Sequence, residues 1–397
     1  MAQQSSRSEF DRLLAKTHVE HALIQSSGRH NDVPTALATA FFLSATPAQL
    51  QAVYESASAS LEAWATSPRP IASLEDRTIV LGDVRYQRAY MTYFSMQNNL
   101  HRGNSMPMAL SELLCGTKPL IYGLFSGLGR PLVFLSDAVE LSSAMMVVQA
   151  LTLSAADWID WIHDVLSHPQ LAIPKSNPLP PGEILSRVRH DGRLSGIMKS
   201  GPGFHELSQV FTNPNAKATL LEYVHELDYR DPDRLLRQFS SLSALLACAT
   251  HKPGKPEFDY YLNCVPTWVN SLRVLLPIFQ ERADQVRLLR GVWLLILLVY
   301  ITQLRPIMDE TLLAPMEYGN EELELSFVPS PQEGATGWPY RDLHLFRTLR
   351  SIKTLGVCYD GAGVAKYNLR AASKLARQWR RWTGLGMDGE ESLNIRL

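Results

Sequence analysis

The segment GLGRPLVFLSDAVEL, Gly127 to Leu141, places two opposite charges on a helix that the sequence predicts to be buried. Pro131 suits the first turn of a helix, where its missing N–H costs nothing, and the glycines before it suit a loop. Arg130 and Asp137 then share one helical face with Phe134. The opposite face is wholly apolar, with Leu132, Leu135 and Val139. Apolar groups on both sides predict burial, so this arginine and this aspartate are candidates for chemistry.

Arg130 and Asp137 each support two interpretations. A buried guanidinium stabilises negative charge that develops on an enolate or another oxygen, whereas an arginine at a helix N-terminus can also simply face solvent. Asp137 is either the ion-pair partner of Arg130 or a general base. The charge pattern alone leaves both alternatives open.

A second polar group, His30–Asn31–Asp32, directly precedes a predicted helix. Asn31 or Asp32 is a candidate N-cap, because a side-chain oxygen at that position accepts a hydrogen bond from the first helical turn. An imidazole titrates near neutral pH, so His30 is a candidate acid or base.

The composition is that of an ordinary globular chain: 397 residues, 46% hydrophobic and 19% charged, with a formal net charge of −1. This balance argues against nucleic acid or a membrane as the main partner, because either would usually require a basic patch. The longest apolar run, Val292–Ile301, is about half of what a bilayer needs and predicts a core helix. The N-terminal segment lacks the apolar region of a secretory signal, which favours a cytoplasmic location.

Standard motifs for a nucleotide, a serine nucleophile or zinc do not occur in the sequence. It contains no GxGxxG after a strand, no GxxxxGK[ST], no GxSxG and no HExxH. The four cysteines are scattered without a CxxC pair, so they indicate neither a zinc site nor a disulfide framework. His18 and His21 are three residues apart in THVEH, but surface helices often produce such pairs. We therefore expect no metal and no cofactor from these motifs, while spacing alone leaves a 2-His-1-carboxylate site open, because its ligands can come from distant helices.

Helical periodicity dominates the chain and predicts an all-α fold. One helix ends near Leu43 and the next begins at Ala48, while Pro131–Leu153 is predicted as a single helix. The best strand signal, LELSFV at 323–328, is short. No linker is long and polar enough to separate domains, so we expect one large domain over residues 1–397. Residues 1–16 are expected to form a flexible N-terminus.

Five stretches, in order, resemble the questin oxidase-like family from about His30 to Trp382. They are HNDVPTALATAFFLSATPAQLQAVYE, LGDVRYQRAYMTYF, GLGRPLVFLSDAVEL, EFDYYLNCVPTWVNSLRVLLP and DLHLFRTLRSIKTLG. The third is similar to a family segment of the form G-x-x-H-P-L-I-H-L-G-Y-A-L-E. The fourth resembles F-D-F-F-L-M-H-x-V-T-S-x-x-x-L-P, and the fifth resembles a segment in which a lysine follows a histidine by three residues.

The resemblance implies an all-α fold with an internal substrate cavity and oxidative tailoring of aromatic polyketides in fungal secondary metabolism. Typical reactions are Baeyer–Villiger-like or ring-opening cleavage of anthraquinones and related compounds. Some members are understood as non-heme iron enzymes in which histidines and a modified lysine hold the metal. This family chemistry is the alternative to the expectation of no cofactor.

The chain departs from the family at the positions that the resemblance assigns to the iron site. The family has histidine at five positions where this chain has Arg130, Phe134, Cys264, Asp32 and Thr35. It has tyrosine at the position of Asp137 and lysine at the position of Arg347. The family residues are kept at His30, Asn31 and His344. A guanidinium has no lone pair to give a metal, and phenylalanine has no donor atom. We therefore expect the iron site to be lost and the cavity to be retained.

Further candidates lie in the later segments of the resemblance. His344 and Arg347 are opposite the apolar stripe of their helix, which by itself indicates a solvated face; only the family match points this side into a pocket. The aromatic residues Tyr260, Tyr261 and Trp268 are either core residues or the lining of a site for a planar substrate. Cys264 is either a small core residue or a nucleophile or ligand.

The leading hypothesis is a tailoring enzyme that acts on an aromatic polyketide-type small molecule without metal or redox cofactor. Arg130 and Arg347 would hold oxyanions, and His30, His344 or Asp137 would move protons in a cyclisation, isomerisation or C–C rearrangement. The substrate would contact Asn31, Asp32, Phe134, Tyr260, Tyr261, Cys264 and Trp268. The second hypothesis is an oxygenase for Baeyer–Villiger-type or ring-cleaving oxidation, and the third is a non-catalytic ligand-binding partner.

Overall fold

In a computed structural model of the chain, residues 2–100, 106–198, 201–203, 207–313, 342–360 and 367–385 are described. These residues confirm the all-α prediction: their only strands are β1 (Phe258–Asp259) and β2 (Trp382–Thr383), which pair in parallel. The predicted strand LELSFV lies outside the described residues. The chain divides into two compact units. The single domain over 1–397 and its internal cavity stay predictions.

The first unit comprises residues 1–158, 324–347 and 394–397. Its helices are α1 (Ala2–Glu20), α2 (Val33–Phe42), α3 (Pro47–Ser58), α4 (Leu74–Ile79), α5 (Gln87–Leu100), α6 (Met106–Cys115), α7 (Ser126–Glu140) and α8 (Ala144–Ala156). Helices α1, α2 and α3 pack against one another, and α8 packs against both α5 and α7. Helix α2 also contacts α7. The loop before α2 and the segment Gly127–Leu141 therefore belong to the same unit.

The N-terminus is helical, not flexible as predicted for residues 1–16. Phe10, Leu13 and Leu14 are at most 2% exposed within α1. Their spacing of i, i+3 and i+4 gives this largely polar helix one narrow apolar stripe, which it buries against neighbouring helices. The predicted break before the third helix is confirmed: Thr46 and Gln49 form a capping box, and Pro47 occupies the first turn of α3.

The segment Pro131–Leu153 forms two helices, which corrects the prediction of one. Ser142 has a positive φ of 51°, and Ser143 caps α8 by accepting a hydrogen bond from the Met146 amide. The serine pair therefore stops α7 and starts α8, a local signal that the continuous apolar pattern concealed. The predicted burial is confirmed, because every residue from Pro131 to Ala138 is buried.

The second unit comprises residues 159–323 and 348–393. Its helices are α9 (Asp160–Leu166), α10 (Pro181–His190), α11 (Leu207–Thr212), α12 (Pro214–Glu226), α13 (Pro232–Cys248), α14 (Val265–Leu275), α15 (Arg282–Thr302), α16 (Leu343–Tyr359, whose first residues belong to the first unit) and α17 (Tyr367–Gln378). Helix α13 packs against α14 and α17, and α15 contacts α12, α13 and α14.

Helix α15 contains the longest apolar run and is a core helix, as predicted. Among the described residues it is the one helix long and apolar enough to cross a membrane, but 78% of its apolar window is buried inside the protein. Its apolar side chains are covered by other helices of the same unit.

Candidate active site

His30 lies in the loop between α1 and α2 and contacts a carboxylate. An isolated antiparallel bridge between Ile24 and His30 fixes the loop. His30 Nε2 lies 3.1 Å from Asp157 Oδ2, at the residue that caps the C-terminus of α8. The two side chains keep 14% and 24% of their surfaces exposed, respectively. A carboxylate accepts hydrogen bonds only, so we place the proton on Nε2 and the lone pair on Nδ1.

Gly127 forms the wall against which the His30–Asp157 pair packs. A Cβ atom at this position would lie 2.2 Å from Asp157 Oδ2 and 3.3 Å from His30 Nε2. Gly127, Leu128 and Gly129 all adopt left-handed backbone angles, with φ of 51°, 55° and 72°. Regular helical geometry begins only after these three residues, as Pro131 predicts. The turn allows the backbone to approach both ionisable groups closely.

Asn31 and Asp32 have separate roles beside His30. Asn31 is 1% exposed; its Oδ1 accepts a hydrogen bond from the Val33 amide, and its Nδ2 donates to Thr17 Oγ1. Asn31 precedes the N-cap position, which Asp32 occupies, and its side chain binds the amide of the first residue of α2. Asp32 makes no side-chain cap and instead pairs with the Arg130 guanidinium. This contact joins the start of α2 to the start of α7.

Asp137 pairs with Arg347, whose Nη2 lies 3.2 Å from Asp137 Oδ2. The same guanidinium donates to the Thr35 carbonyl and to Thr39 Oγ1 on α2. The side chains of Arg347 and Asp137 are 16% and 8% exposed. Amphipathicity alone predicted that Arg347 lies on a solvated face, and this prediction is therefore wrong. The two carboxylates Asp32 and Asp137 each have a guanidinium partner from another element.

Two further predicted residues lie in the same unit. Phe134, on α7, is fully buried in the hydrophobic core. His344 is half-buried in the first turn of α16, three residues before Arg347. A substrate role for either residue stays a prediction.

The other predicted residues belong to the second unit. Tyr260 and Trp268 are buried, at 8% and 2% exposure, whereas Tyr261 and Cys264 keep more of their surface. The ring of Tyr260 meets those of Tyr261 and Trp382 edge to face, at centroid distances of 5.2 Å and 5.9 Å. The Cys264 thiol donates to the Tyr260 carbonyl. These contacts describe an aromatic core cluster.

The residues at the expected ligand positions do not suit iron. In the first unit, Arg130 and Arg347 neutralise Asp32 and Asp137, and a bound cation would have to compete with both guanidinium groups. Phe134 offers no donor atom. Within the described parts of the chain, no three histidine, cysteine, aspartate or glutamate side chains are grouped so that they could hold a metal ion.

Sequence reasoning named His30 as a candidate, but it missed the contact with Asp157 and the close approach of Gly127. Asp157 follows the uniformly buried end of α8, and the only local signal is a carboxylate directly after a buried helix. His30 and Asp157 are 127 residues apart in sequence, so no local pattern could join them. The glycines were predicted as loop residues, but their close approach to a histidine depends on tertiary packing.

Comparison with known protein families supports the resemblance drawn from the sequence. A comparison with curated proteins gives no match. The model of the questin oxidase-like family, in contrast, matches residues 29–352. This range contains His30, Gly127, Arg130, Asp157 and Arg347. Because the match extends over most of the chain, the protein belongs to the questin oxidase-like family.

Proposed function

We propose that the protein is a tailoring enzyme for an aromatic polyketide-type small molecule and that His30 is its general base. The observation that carries this proposal is the contact between His30 Nε2 and Asp157 Oδ2 at 3.1 Å. The reaction is a cyclisation, isomerisation or C–C rearrangement that begins with removal of an acidic phenol or enol proton. It requires neither a metal nor a redox cofactor.

The chemistry follows from the tautomer. Asp157 accepts a hydrogen bond from Nε2–H and orients the ring, so that the Nδ1 lone pair is available for a substrate proton. The carboxylate then stabilises the imidazolium that forms. Partial exposure of both side chains leaves room for a substrate to approach. General base catalysis of this kind contributes about 10²–10⁴-fold to a rate.

Arg130 is the leading candidate for holding the resulting oxyanion. A guanidinium carries five N–H donors in a planar fork, a geometry that suits an oxyanion. Its position directly after the left-handed turn at Gly127–Gly129 places it on the same short segment as the wall of the His30–Asp157 pair. Arg347, His344 and Asp137 remain secondary candidates, because Arg347 is already bound to α2 and to Asp137.

A second candidate function is an oxygenase for Baeyer–Villiger-type or ring-cleaving oxidation, which family membership favours. The same proton abstraction would serve it, since a deprotonated phenol or enol is more electron-rich. The two functions differ in whether molecular oxygen is consumed. Both would operate in the secondary metabolism of a fungus, and we expect a cytoplasmic location for either.

The test is a turnover assay with a panel of hydroxylated anthraquinones and anthrones, run in air and under nitrogen. Turnover under nitrogen supports the leading proposal, whereas turnover only in air, with oxygen uptake equal to product, supports the oxygenase. With any substrate found, we expect His30→Gln to reduce kcat by about 10²–10⁴-fold and Asp157→Asn by a smaller factor.

The control is His190→Gln, which changes an exposed histidine at the end of α10. An unchanged rate in His30→Gln, with the fold intact by circular dichroism, would show that His30 is not the base. Tight binding without turnover of any panel compound would favour a non-catalytic ligand-binding protein.

A further inference from the structure

The first unit contains a cavity of about 380 Å³, wide open to solvent, between the end of α1 and one face of α5. Its lining includes His18 and Val19 on α1 and Arg88, Met91 and Met96 on α5. The α5 residues are spaced at i, i+3 and i+8, so they project from one side of the helix. None of them belongs to the candidate active site, and a volume of this size is typical of small-molecule sites.

The guanidinium of Arg88 is held in place by an aromatic ring. It stacks over the ring of Trp64 with its carbon 5.1 Å from the ring centroid. The Trp64 indole in turn donates to the His18 carbonyl at 3.1 Å, which ties the ring to the last turn of α1. Among the described residues no acidic side chain pairs with Arg88. Its positive charge is therefore oriented and available to an anion.

His18 supplies a neutral hydrogen-bond donor to the same cavity. Gln149 Nε2 lies 3.3 Å from His18 Nδ1, and since an amide nitrogen donates, the ring proton is assigned to Nε2. Burial, with a contribution from the charge of Arg88, lowers the pKa of His18 to about 4. The imidazole is thus uncharged at neutral pH. Repulsion between two cations does not arise.

The remaining lining favours a flat, apolar ligand. Met91 is 2% exposed and forms the floor, while Val19 and Met96, at 65% and 59% exposure, form the rim. Thioethers pack well against aromatic rings. The hydroxyl groups of Thr92 and Ser95, also in the lining, donate to carbonyls of their own helix, so they add little polarity.

We propose that this cavity binds an aromatic carboxylate or phenolate with two or three fused rings. Arg88 pairs with the anionic oxygen, His18 donates from Nε2 to the same or a neighbouring oxygen, and the methionine side chains contact the ring faces. The inference rests on the cavity and its charges, and it does not depend on the proposed reaction at His30.

The experiment is isothermal titration calorimetry of the full-length protein with 1-hydroxy-2-naphthoate as the probe. We expect saturable binding that Arg88→Gln weakens by roughly tenfold or more, because a hydrogen-bonded charge is lost. The neutral amide of the probe should bind the unmodified protein more weakly than the acid, and Arg88→Gln should remove that difference. Met96→Trp, at an exposed position, fills the cavity and should also abolish binding.

Two control variants check that the probe binds in this cavity and not elsewhere on the protein. Arg85→Gln removes an arginine of the preceding turn that is paired with Asp83 and lies outside the lining, and it should bind the probe normally. His30→Ala should also bind normally, so failure of the proposed reaction would not affect this result. The proposal is overturned if Arg88→Gln binds like the unmodified protein, if His30→Ala loses binding, or if the probe does not bind at all.

Discussion

Asp157 and Asp137 are both carboxylates of the first unit that contact a nitrogen-containing side chain. The two pairs differ in whether the partner of the carboxylate can exchange a proton. Asp157 contacts His30 at 3.1 Å, and Asp137 contacts Arg347 at 3.2 Å. An imidazole exchanges its proton near neutral pH, whereas a guanidinium keeps its proton throughout. The first pair is suited to proton transfer and the second to fixing the position of helices.

The exposure of the two pairs agrees with this difference. The Arg347–Asp137 pair is more enclosed, and Arg347 also binds the Thr35 carbonyl and Thr39 Oγ1. Such a pair connects α2, α7 and the first turn of α16. The His30–Asp157 pair makes fewer contacts and keeps an open side. The enclosed pair is therefore the one whose loss should destabilise the fold most.

The largest effect on stability is expected from breaking the enclosed pair. Asp137→Asn leaves the Arg347 guanidinium without its countercharge, and we expect a loss of about 2–3 kcal/mol in the free energy of unfolding, measured in urea. The double variant Asp137→Leu with Arg347→Met should recover most of that loss, because no unpaired charge remains.

The matched control is Glu183→Gln, which removes the partner of Arg187 on the exposed surface of α10. Both of those side chains are about half exposed, so this change should cost less than about 0.5 kcal/mol. If Asp137→Asn costs no more than Glu183→Gln, the enclosed pair does not hold the helices together.

A methyl group at Gly127 is expected to disturb the other pair. Gly127→Ala places a Cβ 2.2 Å from Asp157 Oδ2 and also strains a backbone with φ of 51°. We expect about 2 kcal/mol of destabilisation and loss of the His30–Asp157 contact. Thermal unfolding reports the first effect, and turnover of any substrate found reports the second.

Gly28→Ala isolates the contribution of the backbone. Gly28 also has a positive φ, of 80°, but a Cβ there would meet nothing within 4 Å. We expect a cost of about 1 kcal/mol and an unaffected contact between His30 and Asp157. Equal effects of the two substitutions would mean that Gly127 is needed only for its backbone angle.

A carboxyl group of the second unit, Asp259, extends the comparison to one that has no cationic partner among the described residues. Asp259 Oδ1 accepts a hydrogen bond from the Leu262 amide, and Oδ2 faces the Gln303 amide and Gly384. Burial raises the pKa of Asp259 to about 7, partly offset by the backbone amides of Leu262 and Tyr261.

This raised pKa predicts that stability falls as pH rises. Between about pH 4 and 7 the folded chain holds the Asp259 proton and the unfolded chain does not, so folding becomes less favourable with each step in pH. We expect the free energy of unfolding to fall by about 2 kcal/mol between pH 5 and 8. The change is smaller than a fully enclosed carboxyl group would give, because Asp259 is only half-buried. Urea unfolding across this range should show that Asp259→Asn is more stable than the unmodified protein at pH 8 but not at pH 5. A constant difference between the two proteins would contradict it.

The sequence determined those features of the chain that depend on neighbouring residues. Periodicity predicted helices, and it correctly predicted the burial of Pro131–Ala138 and of α15. Proline and capping signals located the break before Pro47 and the regular start of α7. Where a local signal was weak, as in the narrow apolar stripe of α1 or the two serines between α7 and α8, the prediction failed.

Partners of charged groups were decided by tertiary structure. Arg130 and Asp137 share a helix face in sequence, but packing gives Arg130 the carboxylate of Asp32 and gives Asp137 the guanidinium of Arg347. His30 similarly acquires Asp157 from the end of α8, 127 residues away. The physical reason is one of range: helix formation follows from backbone hydrogen bonds and apolar spacing within a few turns, whereas a charge inside the fold takes its partner from whichever distant segment packs beside it.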